Sequence, residues 1–174
     1  MTSRRFRGKN RRWQSRKVSC ILAIAMHLSR QVQYALCGIF DLAYNGAGGP
    51  VRVQTIGERH RIPYRFLEQI FQRLRKAELV VGRRGPGGGY VLTRSPEKIS
   101  LRDVIEAVEG PIGLAHAEDA DGWPGSDHRP DFLWGDLSAR MAEMLSEVAI
   151  SDVCREAARR SVVREWPEGL DYQI

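Results

Sequence analysis

The sequence predicts a mainly α-helical protein with one small β wing: a winged helix-turn-helix domain followed by a long dimerisation helix. Three observations predict this fold. Apolar residues recur at helical spacing in several segments, two of these segments are joined tightly by Arg61-Ile62-Pro63, and two β-type runs flank the glycine-rich residues 83–90. A hairpin directly after two closely joined helices is typical of a winged domain.

Composition divides the chain into five regions. A basic extension covers 1–25, the winged-helix domain 26–110, an acidic loop 111–131, the dimerisation helix with a short terminal helix 132–161, and a tail 162–174. The extension is either a disordered basic arm or the product of a start codon assigned too far upstream. The second reading is favoured because Ser29, a helix N-cap signal, lies just three residues after Met26.

Charge is distributed unevenly along the chain. The formal net charge is +6, from 27 Lys and Arg against 21 Asp and Glu. Eight basic and no acidic residues lie in 1–25, whereas 26–100 sum to +7 and 101–174 to −9. A basic first half joined to an acidic second half indicates that the first half contacts a polyanion.

The first three helices are predicted from caps and apolar spacing. Ser29 caps a long helix that ends at Asn45-Gly46, a short strand follows over Val51–Val53, and a second helix covers about Gln54–His60. Pro63 suits the first turn of the third helix, where its missing N–H costs nothing. The buried face of that helix is predicted to consist of Leu67, Ile70, Phe71 and Leu74.

The opposite face of the third helix is polar and rich in donors, which suits a DNA groove. It carries Arg65, Glu68, Gln69, Gln72, Arg73 and Lys76. The wing adds two arginines that can enter a minor groove or bridge phosphates. The predicted DNA-contacting residues are Tyr64, Arg65, Glu68, Gln69, Gln72, Arg73, Arg83, Arg84 and Gly85.

A nucleotide site at the glycine-rich segment is not expected. The segment has no Walker lysine–hydroxyl pair and precedes a strand rather than a helix. Nothing else in the chain resembles a nucleophile–base pair or a cofactor fingerprint, so the sequence does not predict an enzyme.

Ser100 is expected to cap a further helix that ends at Gly110-Pro111, and Ser151 to cap a final short helix that runs to about Arg160. The long amphipathic stretch that begins near Phe132 is then predicted to form a homodimer interface, because its apolar stripe exceeds what a lone helix needs. Packing against its own domain is the alternative. The stripe consists of Leu133, Leu137, Met141, Met144, Leu145 and Val148.

Three cysteines, Cys20, Cys37 and Cys154, lie far apart and form no CxxC pair. This pattern predicts neither a disulfide framework nor a zinc site and fits a reducing cytoplasm. No run of 18 apolar residues exists, so no membrane span is expected.

Several segments together resemble the Rrf-two family of bacterial winged-helix regulators, which includes the iron–sulfur cluster regulator and the nitric-oxide-sensitive repressor. The resemblance spans Met26–Ser161, and its most specific part is the wing. The segments that carry it are Leu28-Ser29-Arg30, Tyr34-Ala35-Leu36, Phe66-Leu67-Glu68-Gln69-Ile70, Leu74-Arg75-Lys76-Ala77, Arg84-Gly85-Pro86-Gly87-Gly88-Gly89-Tyr90 and Val104-Ile105-Glu106-Ala107-Val108-Glu109-Gly110.

The resemblance implies a homodimer that binds a palindromic operator in double-stranded DNA, with the long helix paired or swapped across the two-fold axis. It implies that Glu68 and Gln69 face bases. Arg65 and Arg73 are expected to hold phosphates, and Arg84 is the best minor-groove candidate. We therefore expect a sequence-specific transcriptional regulator, a repressor, with a protein-interaction module as the alternative.

The chain departs from the family pattern in the loop 111–131. Many members ligate an iron–sulfur cluster there with three cysteines, but this loop contains none, and the first-helix carboxylate found in some members corresponds to Gln33. A thiolate-ligated cluster is therefore not expected. A divalent metal at the loop is a weaker option, since its ligand types suit one but follow no fixed spacing. These residues are His116, Glu118, Asp119, Asp121, Asp127 and His128. The effector remains open.

Overall fold

The computed structural model describes residues 28–46, 49–112 and 131–164. Within these residues the fold is helical with a two-stranded antiparallel hairpin, as predicted. The helices are α1 (Arg30–Tyr44), α2 (Val53–His60), α3 (Tyr64–Lys76), α4 (Leu101–Glu109), α5 (Asp131–Ser146) and α6 (Ile150–Arg159), and the strands are β1 (Val80–Arg83) and β2 (Gly89–Leu92).

The N-caps predicted at Ser29 and Ser100 are confirmed, whereas the final helix begins at Ile150 with Ala149 as its N-cap, not with the predicted Ser151. The Ser29 hydroxyl accepts a hydrogen bond from the Val32 amide at 3.3 Å, which satisfies one free donor at the start of α1. At α4, Ser100 and Asp103 form a reciprocal capping box. The hydroxyl of Ser100 accepts from the Asp103 amide at 3.1 Å, and the Asp103 carboxylate accepts from the Ser100 amide at 2.8 Å.

A short left-handed turn connects α2 to α3. Arg61 adopts φ 53°, and the Ile62 amide donates to the Gly57 carbonyl at 2.8 Å, which closes the end of α2. Pro63 is the N-cap of α3, and Ile62 is buried beneath the turn. These contacts fix the angle at which α3 leaves the domain.

One hydrophobic core joins the helices and the base of the hairpin. Its largest fully buried side chains include Phe71 of α3, Ile39 of α1 and Ile56 of α2. At Gly38, α1 approaches α3 so closely that a Cβ atom would lie 2.9 Å from the Phe71 ring. The core therefore fixes the position of α3 directly against α1.

The wing is a regular hairpin with Gly82 opposite Tyr90 and Arg83 opposite Gly89. Val51 adds a single bridge to β2, with hydrogen bonds to Tyr90 of 3.0 and 2.8 Å in the two directions. The predicted strand Val51–Val53 is thus limited to Val51, because Val53 already begins α2. A side chain at Gly89 would collide with the Val51 carbonyl, so glycine permits this bridge.

The six residues of the predicted dimerisation stripe differ in burial, contrary to the prediction that they form one interface. Leu145 and Val148 are each 4% exposed and belong to the domain's own core. Val148 lies beyond the end of α5, where its carbonyl accepts from the Leu101 amide at 2.9 Å. Met144 is half-buried, while Leu133, Leu137 and Met141 remain exposed. Only the N-terminal part of the stripe is left uncovered.

Candidate nucleic-acid interface

The face of α3 that points away from the core carries most of the predicted DNA contacts. Leu67, Ile70, Phe71 and Leu74 are buried on the opposite face, as predicted. The predicted contact residues of α3 are all exposed: Tyr64, Arg65, Glu68, Gln69, Gln72 and Arg73. The helix is therefore anchored by its apolar face and presents donors and acceptors outward.

The centre of that exposed face is a row of four side chains: Arg65, Gln69, Gln72 and Lys76. They follow one another at intervals of three or four residues, so they line one side of the helix. Lys76 is exposed but was left out of the predicted contact set. The helical spacing from Arg65 was the signal that could have included it.

Arg73 has a different environment from the one predicted. Its guanidinium donates to the side-chain oxygen of Gln31 at 2.7 Å and to the main-chain carbonyl of Val108 at 2.9 Å. It lies on the flank of α3 that faces α1 and α4 rather than in the exposed row. Arg73 therefore ties α3 to α1 and α4 through its Nη1 atom, while the side chain as a whole remains exposed.

The wing presents the other three predicted residues, and Arg83, Arg84 and Gly85 are all exposed. Its tip is a tight turn in which the Gly88 amide donates to the Gly85 carbonyl at 2.8 Å. Gly87 has the positive φ, 79°, that the third position of a type II turn requires, and Pro86 is a residue favoured at the second position. The turn therefore sets where the two arginines project.

The wing is attached to α3 at its base. The Tyr90 ring packs on Phe71 with a centroid distance of 4.8 Å, and the Thr93 amide donates to the Leu79 carbonyl at 3.1 Å. Arg52 lies beside this base, next to the bridging Val51, and is exposed. It is a further cation near the wing that the predicted set omitted.

Exposed basic residues outnumber exposed acidic ones over this part of the molecule. Between Arg52 and Arg84 the exposed acidic residues are Glu58, Glu68 and Glu78. Such an excess of cations attracts a polyanion such as the DNA backbone. The exposed basic residues are Arg52, Arg61, Arg65, Arg73, Arg75, Lys76, Arg83 and Arg84.

A buried ionic cluster fixes α2 to α1. Asp41 is fully buried and accepts from Arg59 at 2.9 Å, from Asn45 at 3.1 Å and pairs with the His60 ring at 3.0 Å. Burial alone raises the pKa of Asp41, but the hydrogen bonds from His60 and Asn45 and the charge of Arg59 outweigh it and lower that pKa. The hydrogen bond to Asp41, aided by one to Cys37, raises the pKa of His60 to about 9.

Among residues 28–46, 49–112 and 131–164, no group of three or more His, Cys, Asp or Glu is placed to hold a metal ion. The possible ligands His116 and His128 lie outside the described residues. Gln33 donates its side-chain amide to the Leu28 carbonyl at 2.8 Å.

A membrane-spanning helix is absent from the described part of the chain, where none of the helices has the length and apolar character that a span needs.

Comparisons with known proteins agree with this geometry. Residues 28–156 match the family model Rrf2, described as an iron-dependent transcriptional regulator. The chain is 38% identical to the regulator IscR of Sodalis glossinidius over 129 residues, covering 74% of this chain and 78% of the relative. It is 36% identical to the putative regulator ORF2 of Azotobacter vinelandii over 140 residues, covering 80% and 85% of the two chains.

Two solved structures show the same fold. The IscR of T. potens superimposes with a TM-score of 0.64 at 29% identity, covering 81% of this chain and 96% of that one. The global cysteine regulator CymR of B. subtilis gives 0.61 at 29% identity, with coverages of 74% and 96%. With the polar face of α3 and the wing both exposed, this chain belongs to the Rrf2 (Rrf-two) family of winged-helix transcriptional regulators and is not an enzyme.

Proposed function

We propose that this regulator is a repressor that binds a palindromic operator as a homodimer. The observation that carries the proposal is an exposed polar row on α3, a helix whose opposite face is buried in the core. The row consists of Arg65, Gln69, Gln72 and Lys76. Side chains that reach outward from a rigid helix can enter a major groove and meet base edges.

The side chains of this surface are proposed to have two roles: some contact the DNA bases and others contact the DNA backbone. Gln69 can pair with adenine through two hydrogen bonds, and Glu68 can accept from the amino group of cytosine. Arg65 and Lys76 suit phosphates, while Arg84 at the wing tip suits the minor groove. Arg73 is assigned chiefly to holding α3 in place, because its Nη1 donates to both Gln31 and Val108 within the protein.

The second copy is proposed to pack on the uncovered part of α5. Leu133, Leu137 and Met141 lie four residues apart and are 39%, 45% and 43% exposed. An apolar row of this kind on one helix is stabilised when the same helix of a second chain covers it. A two-fold axis at α5 would present two α3 helices, which is why the operator is expected to be palindromic.

We also propose that no thiolate-ligated iron–sulfur cluster is held by the loop 111–131. The family model is described as iron-dependent, but the donor set of this chain does not fit. The loop contains no cysteine, and the Gln33 amide is engaged with the Leu28 carbonyl. An amide is a poor iron ligand compared with thiolate. The repressor's signal is then of another kind.

Operator binding tests the proposal. The full chain is titrated against the promoter of its own gene and against duplexes selected from random sequence, at several salt concentrations. We expect binding that weakens steeply with salt and one selected palindrome. Transcription from that promoter is expected to fall when the protein is added. If no duplex binds above background at low salt, the winged helix serves a protein partner instead.

The cluster proposal is tested on anaerobically purified protein. A colourless protein with no stoichiometric iron or sulfide is expected. A brown protein with iron bound in proportion to the chain would contradict the proposal, whatever its DNA affinity.

A further inference from the structure

Phe66 is a large apolar side chain that the core does not use. It is the third residue of α3 and is 40% exposed, whereas the neighbouring Leu67 is fully buried. Exposed phenylalanine on a charged helix face is costly unless it packs on something. In this structure the guanidinium of Arg65 and the ring of Tyr34 contact it.

The Arg65 guanidinium carbon lies 4.9 Å from the centre of the Phe66 ring. This distance is within the range of a cation–π contact. The Phe66 ring also contacts Tyr34 of α1, with a centroid distance of 6.4 Å and an angle of 44° between the rings. Tyr34 is itself half-buried in the domain. The three side chains thus contact one another in series, from the half-buried Tyr34 through Phe66 to the exposed Arg65.

The contact with Phe66 leaves the donors of Arg65 available. Within the described residues no carboxylate forms an ion pair with Arg65. Because a phenyl ring has no lone-pair acceptor, a cation–π contact does not use the N–H donors of the guanidinium, which can still bond to a phosphate. Arg73, two turns later on α3, is held differently, since its Nη1 donates to acceptors of Gln31 and Val108.

We propose that Phe66 is a positioning residue for DNA binding: with Tyr34 behind it, its ring holds the Arg65 guanidinium in the orientation that grips a backbone phosphate. This inference rests on the proposed DNA-binding function and deepens it. A long arginine side chain loses considerable rotamer freedom when it binds. A guanidinium that is already held against the ring in the free protein loses less rotamer freedom on binding. The ring therefore increases affinity for DNA without changing the preference for particular bases.

A double-mutant cycle with the selected operator duplex tests the proposal. Phe66→Leu keeps an apolar side chain against Tyr34 but removes the aromatic face. It is expected to weaken binding about two- to five-fold, the range of an exposed cation–π contact. In the Arg65→Ala background, the same substitution should cause no further loss. Phe66→Tyr is the conservative control and should restore wild-type affinity.

A second measurement needs no DNA. In the free protein, the δ-methylene protons of Arg65 should show an upfield NMR shift caused by the Phe66 ring. Phe66→Leu should abolish this shift and Phe66→Tyr should retain it, with equal thermal stability of the variants. Absence of the shift in the wild type would overturn the proposal even if no DNA is bound. Equal losses from Phe66→Leu with and without Arg65 would also overturn it, since Phe66 would then act independently.

Discussion

Arg73 donates a hydrogen bond to the main-chain carbonyl of Val108 across 2.9 Å, and so ties α3 to the C-terminal end of α4. The same guanidinium reaches Gln31 at the start of α1. Residues 113–130, which follow α4 almost directly, lie outside the described part of the chain. Arg73 therefore links α3 to α1 and α4, whereas Arg65 on the same helix contacts Phe66. Substituting each arginine in turn can distinguish their roles.

Arg73→Ala is expected to destabilise the fold, and Arg65→Ala is expected to leave it unchanged. Removing Arg73 leaves the Val108 carbonyl without this donor, at a cost of about 1 kcal/mol in the free energy of unfolding. Removing Arg65 should reduce the salt dependence of DNA binding by about one phosphate contact. Urea denaturation and salt titration of operator binding measure the two effects. Equal stability of both variants would contradict this division.

Gln69→Ala and Arg84→Ala should affect DNA binding differently. Gln69 is on the exposed row, so its loss should relax the preference at particular base pairs by about 1–3 kcal/mol. Arg84 is at the wing tip, so its loss should weaken all duplexes broadly. Binding to a panel of single-base operator variants measures the difference. The same uniform loss from both changes would refute the assignment of roles.

Leu137→Glu should produce a folded monomer. A charge in the exposed row of α5 opposes its burial against a second copy, but the residue is 45% exposed in the single chain. Sedimentation is expected to show half the mass, and circular dichroism unchanged helicity with a melting temperature that no longer rises with protein concentration.

Leu145→Ala is the matched control for Leu137→Glu on the same helix. Because Leu145 is 4% exposed in the domain core, its truncation should cost about 2–5 kcal/mol of stability without changing the oligomeric state. If Leu137→Glu remains a dimer, α5 is not the interface.

Stability should decrease between near-neutral and alkaline pH because of His60. Its pKa is raised from 6.5 to about 9, chiefly by Asp41 and further by Cys37. The stabilisation is therefore fully present below pH 6.5 and is lost as pH rises through 9, with an upper limit of about 3 kcal/mol. Asp41 stays ionised over this range, since its own pKa is lowered.

Denaturation of the wild type and of His60→Gln at pH 6, 7.5 and 9.5 measures this contribution. The difference between the two proteins should shrink as the pH rises, because glutamine does not titrate and Cys37 is present in both. A constant difference at all three values would show that His60 contributes by packing alone.

Local patterns in the sequence were sufficient for much of the fold. The Ser29 and Ser100 caps, the Arg61–Pro63 turn and the glycine turn of the wing depend on neighbouring residues, so short-range chemistry specifies them. The apolar face of α3 follows from helical spacing in the same way. These features, with the sequence motifs, identified a winged-helix regulator.

The sequence by itself thus determined which face of α3 is polar and that a wing follows it. Only the tertiary structure decided which of its side chains are available. Arg65 and Arg73 are alike in sequence, but Arg73 faces acceptors on α1 and α4 whereas Arg65 lies on the ring of Phe66. Leu137 and Leu145 share one stripe, yet only Leu145 meets the core. The physical reason is that burial and hydrogen-bond partners come from elements distant in the chain, which spacing along one helix does not encode.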